Sequence, residues 1–356
     1  MKALKDILES LRSFDEELYR NTYESSLQTW NTLAKPLGSL GVLEDDISRI
    51  AALKGSIRYP FEKRTLIVFC ADNGVIAQGV SQSDESVTEA VATALGQGTS
   101  TVNYMAKAAG CSVLPVDIGM ACETSPENVL PLKVRQSTGD ITLGWAMTDA
   151  ECEQAVLSGV QLVKQQSELG TDALLLGEMG IGNTTTSAAV ACVLLLERPE
   201  ILAGRGAGLS NEGLKRKIEV LKKAIRQNSP DPEDPFDILK KLGGLDLAAM
   251  CGVCLGAALY RIPVLLDGVI TNTAALLAVR MCPAVKNALI ASHVSTEPAA
   301  KLLLEALKLD PAICAGLHLG EGSGAVLLLP LLDSALAVYN SGHTFGHLGI
   351  SAYTPQ

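Results

Sequence analysis

The chain has 356 residues, of which 47% are hydrophobic and 4% aromatic, and its formal net charge is −10. That length allows one large domain with a smaller one attached, and the composition is that of a chain with an extensive buried core. An acidic chain with few aromatics lacks both the basic patches that displace counterions and the rings that stack bases, which excludes nucleic acid as a partner.

In the first twenty residues, Leu4, Ile7, Leu8, Leu11, Phe14 and Leu18 recur at helical spacing. This predicts one amphipathic helix, not the apolar core of a secretory signal. Residues 1 to about 60 read as helical, interrupted by the turn KPLGSLG (35–41). Ser39 or Gly41 is expected to start the next helix, which runs through VLEDDISRIAAL. From residue 65, short apolar runs alternate with helical patterns. TLIVFCADNG, SVLPVDIG, DALLLGEMG, IPVLLDG and NALIASH each read as a strand. They lack polar alternation, as strands buried on both faces do, so the fold class is α/β with a parallel sheet.

Four of these runs end in an acid with a nearby glycine: Asp72 and Gly74, Asp117 and Gly119, Glu178 and Gly180, Asp267 and Gly268. Singly, such residues cap helices and make turns. Together they mark the carboxyl ends of parallel strands, where open α/β sheets bind ligands. The stretch GEMGIGNTTTSAAVA (177–191) adds a glycine turn before a helix that Asn183 and Thr184 could cap, a possible site for one phosphate. It has neither the Gly-Lys-Ser/Thr of a Walker loop nor the third glycine of a dinucleotide fingerprint. In GRGAGLSNEGLKRKIEV (204–220), Lys215 and Lys217 read as solvated lysines, with a reach back to a phosphate as the second reading. Ala248–Tyr260, the longest strongly apolar run, stops at Arg261, short of the roughly 18 residues that span a bilayer. No membrane is expected, and the chain is placed in the cytoplasm.

The nine cysteines are scattered and read as reduced core residues, including the CxxC pair Cys251 and Cys254. His343 and His347 have i, i+4 spacing without the acid of HExxH, and no metal site is predicted. Finally, HLGEGSGA (318–325) surrounds Glu321 with Gly320, Gly322 and Gly324. Glycines let another molecule come close, so they are expected to leave room for a ligand beside this acid.

KPLGSLG, CADNGV, GEMGIGNTT, LLDG, ASH and HLGEGSGA follow one another nearly end to end. In this order the chain resembles the nicotinate-nucleotide–dimethylbenzimidazole phosphoribosyltransferase family. The resemblance implies a Rossmann-like three-layer fold with a mostly parallel sheet and a small helical domain. It assigns residues 1–60, joined by about 331–356, to the small domain and 61–330 to the large α/β catalytic domain. The implied reaction moves 5-phosphoribosyl from nicotinate mononucleotide to 5,6-dimethylbenzimidazole or a related base, giving α-ribazole 5′-phosphate and nicotinate with inversion at C1′. No cofactor and no metal are implied, and the family forms homodimers with the sites near the subunit interface.

Residue by residue, Glu321 matches the proton acceptor. Gly180, Gly182 and Asn183, assisted by Lys217, match the phosphate site, and Glu178 faces the ribose or the departing ring. Ser83 and Ser295 match the base pocket, and Gly320 and Gly322 leave room for the planar base. Asn73 stands where many members carry His, and Val91 where some carry Gln. Adenine, another benzimidazole or a phenol remains open as acceptor, and so does a non-catalytic nucleotide-binding role. A diphosphate-donor phosphoribosyltransferase is discounted, because LLDGVITNT offers one acid where that chemistry uses two.

Overall fold

The computed structural model describes residues 2–351 and Tyr353. Six strands form one parallel sheet: β1 (Arg64–Ala71), β2 (Ser112–Gly119), β3 (Leu130–Pro131), β4 (Ala173–Met179), β5 (Val264–Leu266) and β6 (Leu289–Ala291). Their spatial order is β3-β2-β1-β4-β5-β6. This is the doubly wound order, which reverses direction between β1 and β4 and places every strand's carboxyl end on one side.

The apolar runs become central strands because neighbouring residues serve opposite cores. Ile67, Phe69 and Ala71 of β1 join Leu174 and Leu176 of β4 in one hydrophobic cluster. Leu66, Val68 and Cys70 join Leu175 and Leu265 in the other. The first cluster is closed by the helices Asp149–Glu168, Leu245–Tyr260 and Val269–Met281, and the second by Val42–Lys54, Thr101–Ala108 and Ser323–Asn340. Three layers follow from strands that are buried on both faces.

All five apolar runs read as strands contain one. The sequence reading missed β3, a two-residue edge strand that ends in proline and leaves no periodic signal. The N-terminal helix is two helices, Lys2–Arg12 and Glu16–Thr32, because the Asp15 side chain accepts the Leu18 amide at 2.9 Å and caps the second. Phe14 therefore lies in the break, and Leu18 is 38% exposed.

The N-terminal helices pack on the end of the chain. Trp30 and Tyr339 rings lie 4.8 Å apart, and Ser26 Oγ bonds both Ser48 Oγ and the Tyr339 hydroxyl. Arg49 donates to the carbonyls of Lys286 and Leu289 beside β6. The helix Ser323–Asn340 is long and apolar enough to cross a membrane by length and composition. Here Leu328, Leu329 and Leu332 are buried in the second cluster, and Asp333 pairs with Arg64 at 2.8 Å.

The apolar run Ala248–Tyr260 lies in a buried helix that crosses Asp149–Glu168 at unusually close range. A Cβ on Gly252 would stand 1.9 Å from the Val156 carbonyl oxygen, and one on Gly159 would stand 2.0 Å from that of Ala249. Cys251 and Cys254 are fully buried there, with Cys251 Sγ 3.9 Å from Met281 Sδ, so the CxxC is packing. Gly252→Ala should destabilise the fold by about 1–3 kcal/mol even though alanine is the better helix former. A thermal melt at or above the wild-type midpoint would contradict this close contact.

Candidate active site

A cavity of about 650 Å³ opens beyond the carboxyl ends of β4, β5 and β6. Its lining takes in Glu178, Gly180, Asn183, Ser83, Ser295, Gly320 and Glu321, residues scattered over some 240 positions of chain. Gly182, Lys217 and Gly322 lie behind the lining. Val91 forms part of the wall.

The loop that carries Glu321 is wound left-handed. Gly320, Glu321 and Gly322 have φ of 85°, 58° and 86°. Two of these suit glycine, whereas a glutamate held there is strained. The strain is held in place by Asp267, which follows β5. Its Oδ2 accepts the Gly322 amide at 3.2 Å and its Oδ1 the Gly324 amide at 2.7 Å. Asp267 thus caps the helix Ser323–Asn340, whose own N-cap, Gly322, has no side chain. Burial pushes the Asp267 carboxyl up to about 7 against the pull of these amides. From the far side, the Glu321 carboxylate accepts the Val102 amide at 3.5 Å, in the first turn of Thr101–Ala108.

The expectation that these glycines clear space for a ligand needs correction. A Cβ at Gly322 would meet Leu66 Cδ1 at 2.4 Å, and one at Gly324 would meet His293 Nδ1 at 2.0 Å. These two glycines press the loop onto the sheet. Gly320 borders the cavity, where a Cβ would stand 2.9 Å from Glu178 Oε1.

Glu178 ends β4 with its carboxyl pushed up to about 8 by burial, and the charges of Asp246, Asp267 and Glu321 add to that shift. The Asn183 amide donates to Glu178 Oε2, and to Asp246 Oδ2 at 3.2 Å. The Asn183 side chain is therefore committed to carboxylates and is not free for a phosphate. The amides of Asn183, Thr185 and Thr186 already bond the carbonyls of Gly180 and Gly182, so what remains for an anion at the start of Asn183–Leu194 is Thr184. Gly182, with φ of 94°, forms that turn against Ile76 and Asn73.

Lys217 departs most from its sequence reading as a solvated lysine. It is 0% exposed, and its Nζ donates to Thr184 Oγ1 at 2.9 Å, which places it directly behind the cavity wall. Burial lowers its ammonium to about 8, and the Glu297 charge opposes the shift. The sequence did hold a signal: Lys217 shares the buried stripe of its helix with Gly213, Val220, Leu221 and Ala224. Glu297 and Asp246 were missed altogether. Glu297 Oε1 accepts the Gly206 amide at 3.2 Å and so fixes the second glycine loop at the rim.

The other strand-end acids serve the turns. Asp72 accepts from Thr88 Oγ1 and the Ala121 amide, and Asp117 accepts from Ser125 Oγ and the Met120 amide and pairs with Lys133. His318 is exposed at the rim, while burial keeps His293 below its usual value and hence neutral. His347 Nδ1 accepts the Thr344 amide, which closes a turn. Among the described residues, no group of three or more His, Cys, Asp or Glu is placed to hold a metal ion.

The family profile described as "Phosphoribosyltransferase" matches residues 16–350. A nicotinate-nucleotide–dimethylbenzimidazole phosphoribosyltransferase of Acetivibrio thermocellus is 43% identical over 350 residues, which is 98% of this chain and 99% of that protein. One of Ruminiclostridium cellulolyticum is 41% identical over 340 residues, 96% of this chain and 97% of its own. The crystal structure of CobT from Thermus thermophilus superposes with a TM-score of 0.88 at 36% identity, covering 94% of this chain and 100% of that one. A doubly wound sheet, a cavity at its strand ends and full-length likeness on this scale lead to one assignment: the chain belongs to the nicotinate-nucleotide–dimethylbenzimidazole phosphoribosyltransferase family.

Proposed function

We propose that this chain transfers 5-phosphoribosyl from nicotinate mononucleotide to 5,6-dimethylbenzimidazole or a close relative. The products are α-ribazole 5′-phosphate and nicotinate, for assembly of the cobamide nucleotide loop. The observation that carries this reading is Glu321, a carboxylate held in a strained turn at a cavity whose opposite side offers a helix start and a buried lysine.

The incoming base has one nitrogen with a lone pair and one that bears a proton. Glu321 takes that proton and so strengthens the other nitrogen, which attacks C1′ from the face opposite the leaving ring. Nicotinate departs with the bonding pair, which discharges its pyridinium, so the leaving group needs no proton. Negative charge on Glu321 also favours the cationic character that builds at C1′. The nucleotide phosphate is held at the start of Asn183–Leu194 by Thr184 and by Lys217 beside it. Ser83 and Ser295 border the acceptor base, and the apolar wall of Val87, Val91 and Val269 suits a methylated bicyclic ring.

The chain acts in the cytoplasm on small molecules, without a membrane or nucleic acid, and works as a homodimer with its sites near the subunit interface. Exposed Leu327, Leu331 and Val338 along one face of the last helix support a second copy as partner. Residues 1–60 and about 331–356 form a small helical domain beside the large unit of 61–330. The packing of Trp30 on Tyr339 supports this pairing of the two ends.

Incubation with nicotinate mononucleotide and 5,6-dimethylbenzimidazole should release nicotinate and α-ribazole phosphate. No product with this base, other benzimidazoles, purines or phenols would overturn the reading. Glu321→Gln should lower kcat by roughly 10²-fold or more while the protein stays folded, and near-normal turnover would remove Glu321 as base. Lys217 has a lowered value, so its charge is present below about pH 8 and lost above it. Nucleotide affinity should therefore fall as pH rises through that value. Lys217→Met should weaken nucleotide binding roughly 10- to 100-fold below it and flatten the pH dependence, as measured by calorimetric titration.

A further inference from the structure

Glu178 reaches the cavity, and beneath it lies a carboxylate that does not. Asp246 is 0% exposed, in the first turn of the helix Leu245–Tyr260. Its Oδ1 accepts the Leu247 amide at 2.9 Å, and its Oδ2 accepts Asn183 Nδ2 at 3.2 Å. The same nitrogen donates to Glu178 Oε2. A Cβ on Gly244 would fall 2.3 Å from Asp246 Oδ1 and 2.7 Å from Asn73 Oδ1, so a glycine there leaves this buried polar cluster its space. One side-chain amide thus joins two carboxyl groups, one half-buried on the cavity and one sealed from it.

The charges that act most on Glu178 are negative: Asp246 from the helix below, Asp267 from the end of β5 and Glu321 from the loop above. Carboxylates crowded this closely out of water do not all ionise, and the proton goes to the member whose surroundings support charge least. A helix start and a backbone amide support charge on Asp246. Burial accordingly raises Asp246 to about 6 and Glu178 to about 8. Glu178 Oε2 is an acceptor from Asn183, which leaves Oε1 to carry the proton. Oε1 is the oxygen turned towards Gly320 and the cavity.

We propose that Asp246, outside the cavity, is a positioning residue for the transfer: its charge, held beside Glu178 by their shared donor Asn183, keeps a proton on Glu178 Oε1, so that Glu178 meets the nucleotide as a hydrogen-bond donor while Glu321 alone accepts the proton of the incoming base. The inference rests on the transfer reaction proposed above. Nicotinate mononucleotide carries a ring carboxylate and a phosphate, which a neutral donor holds without repulsion. Glu178 keeps its proton through the cycle, and the proton released by the base goes to Glu321.

The test compares kcat/KM for nicotinate mononucleotide against pH in the wild type and in Asp246→Asn, which keeps shape and removes charge. With that charge gone Glu178 ionises earlier. The alkaline limb should move about one pH unit to the acid side, with roughly tenfold loss near pH 8 and much less at acidic pH. Lys217 faces Thr184 and Glu297 and titrates alike in both proteins, so the difference does not come from Lys217. An unmoved limb, or an equal loss at every pH, would overturn the inference.

Infrared spectroscopy of the folded wild type needs no Asp246 variant. Burial also raises Asp46 and Asp267, so the readout is the difference between wild type and Glu178→Gln, which should hold the carbonyl band of one protonated carboxyl at neutral pH that fades near pH 8. Its absence from that difference would also overturn the inference. Should the wild type transfer to no base, the function would fall, while the infrared result would still report where the proton resides.

Discussion

Asp267 ties the end of β5 to the amides of Gly322 and Gly324, and the site is built around that tie. It supplies the cap that the last helix lacks, fixes the left-handed turn that presents Glu321, and stands at the cavity wall. The sheet brings it there, because parallel strands deliver all their carboxyl ends to one edge. The helix it anchors also carries Tyr339, which packs on Trp30, so the N-terminal helices are joined mechanically to the turn that carries Glu321.

The same geometry crowds negative charge. Glu178, Asp246, Asp267 and Glu321 act on one another in a region with little water. Each is met in a different way. Asp267 is held by main-chain amides, Asp246 by a helix start and Asn183, and Glu321 by the start of Thr101–Ala108. Glu178 has a single side-chain donor, and burial pushes its carboxyl up to about 8. Lys217 brings the opposite charge to the rear of the wall, where it too is short of water.

Much of this was legible in the sequence, because strands buried on both faces write themselves as unbroken apolar runs and their acids mark the carboxyl ends. Glu321 stood out through its glycines, although the reason lay elsewhere: Gly322 and Gly324 serve contact with Leu66 and His293, and sequence does not say which neighbour a missing Cβ spares. Lys217 was misread because a charged residue on an apolar stripe looks like an interruption until the partner helix is in place. Asn183 showed itself as a helix start, yet its hydrogen bonds run to carboxylates 5 and 63 residues away. The break at Asp15 and the edge strand β3 are local features too short to disturb a periodic pattern.

Glu321 stands where a glycine would be more comfortable, and holding a side chain there costs about 1 kcal/mol of fold stability. Any selection for heat resistance alone, natural or in the laboratory, would reward the loss of the very side chain that faces the cavity. On the role proposed for Glu321, a little robustness is given up for chemistry. A programme to harden this protein should hold position 321 fixed and seek its gains among the outer helices.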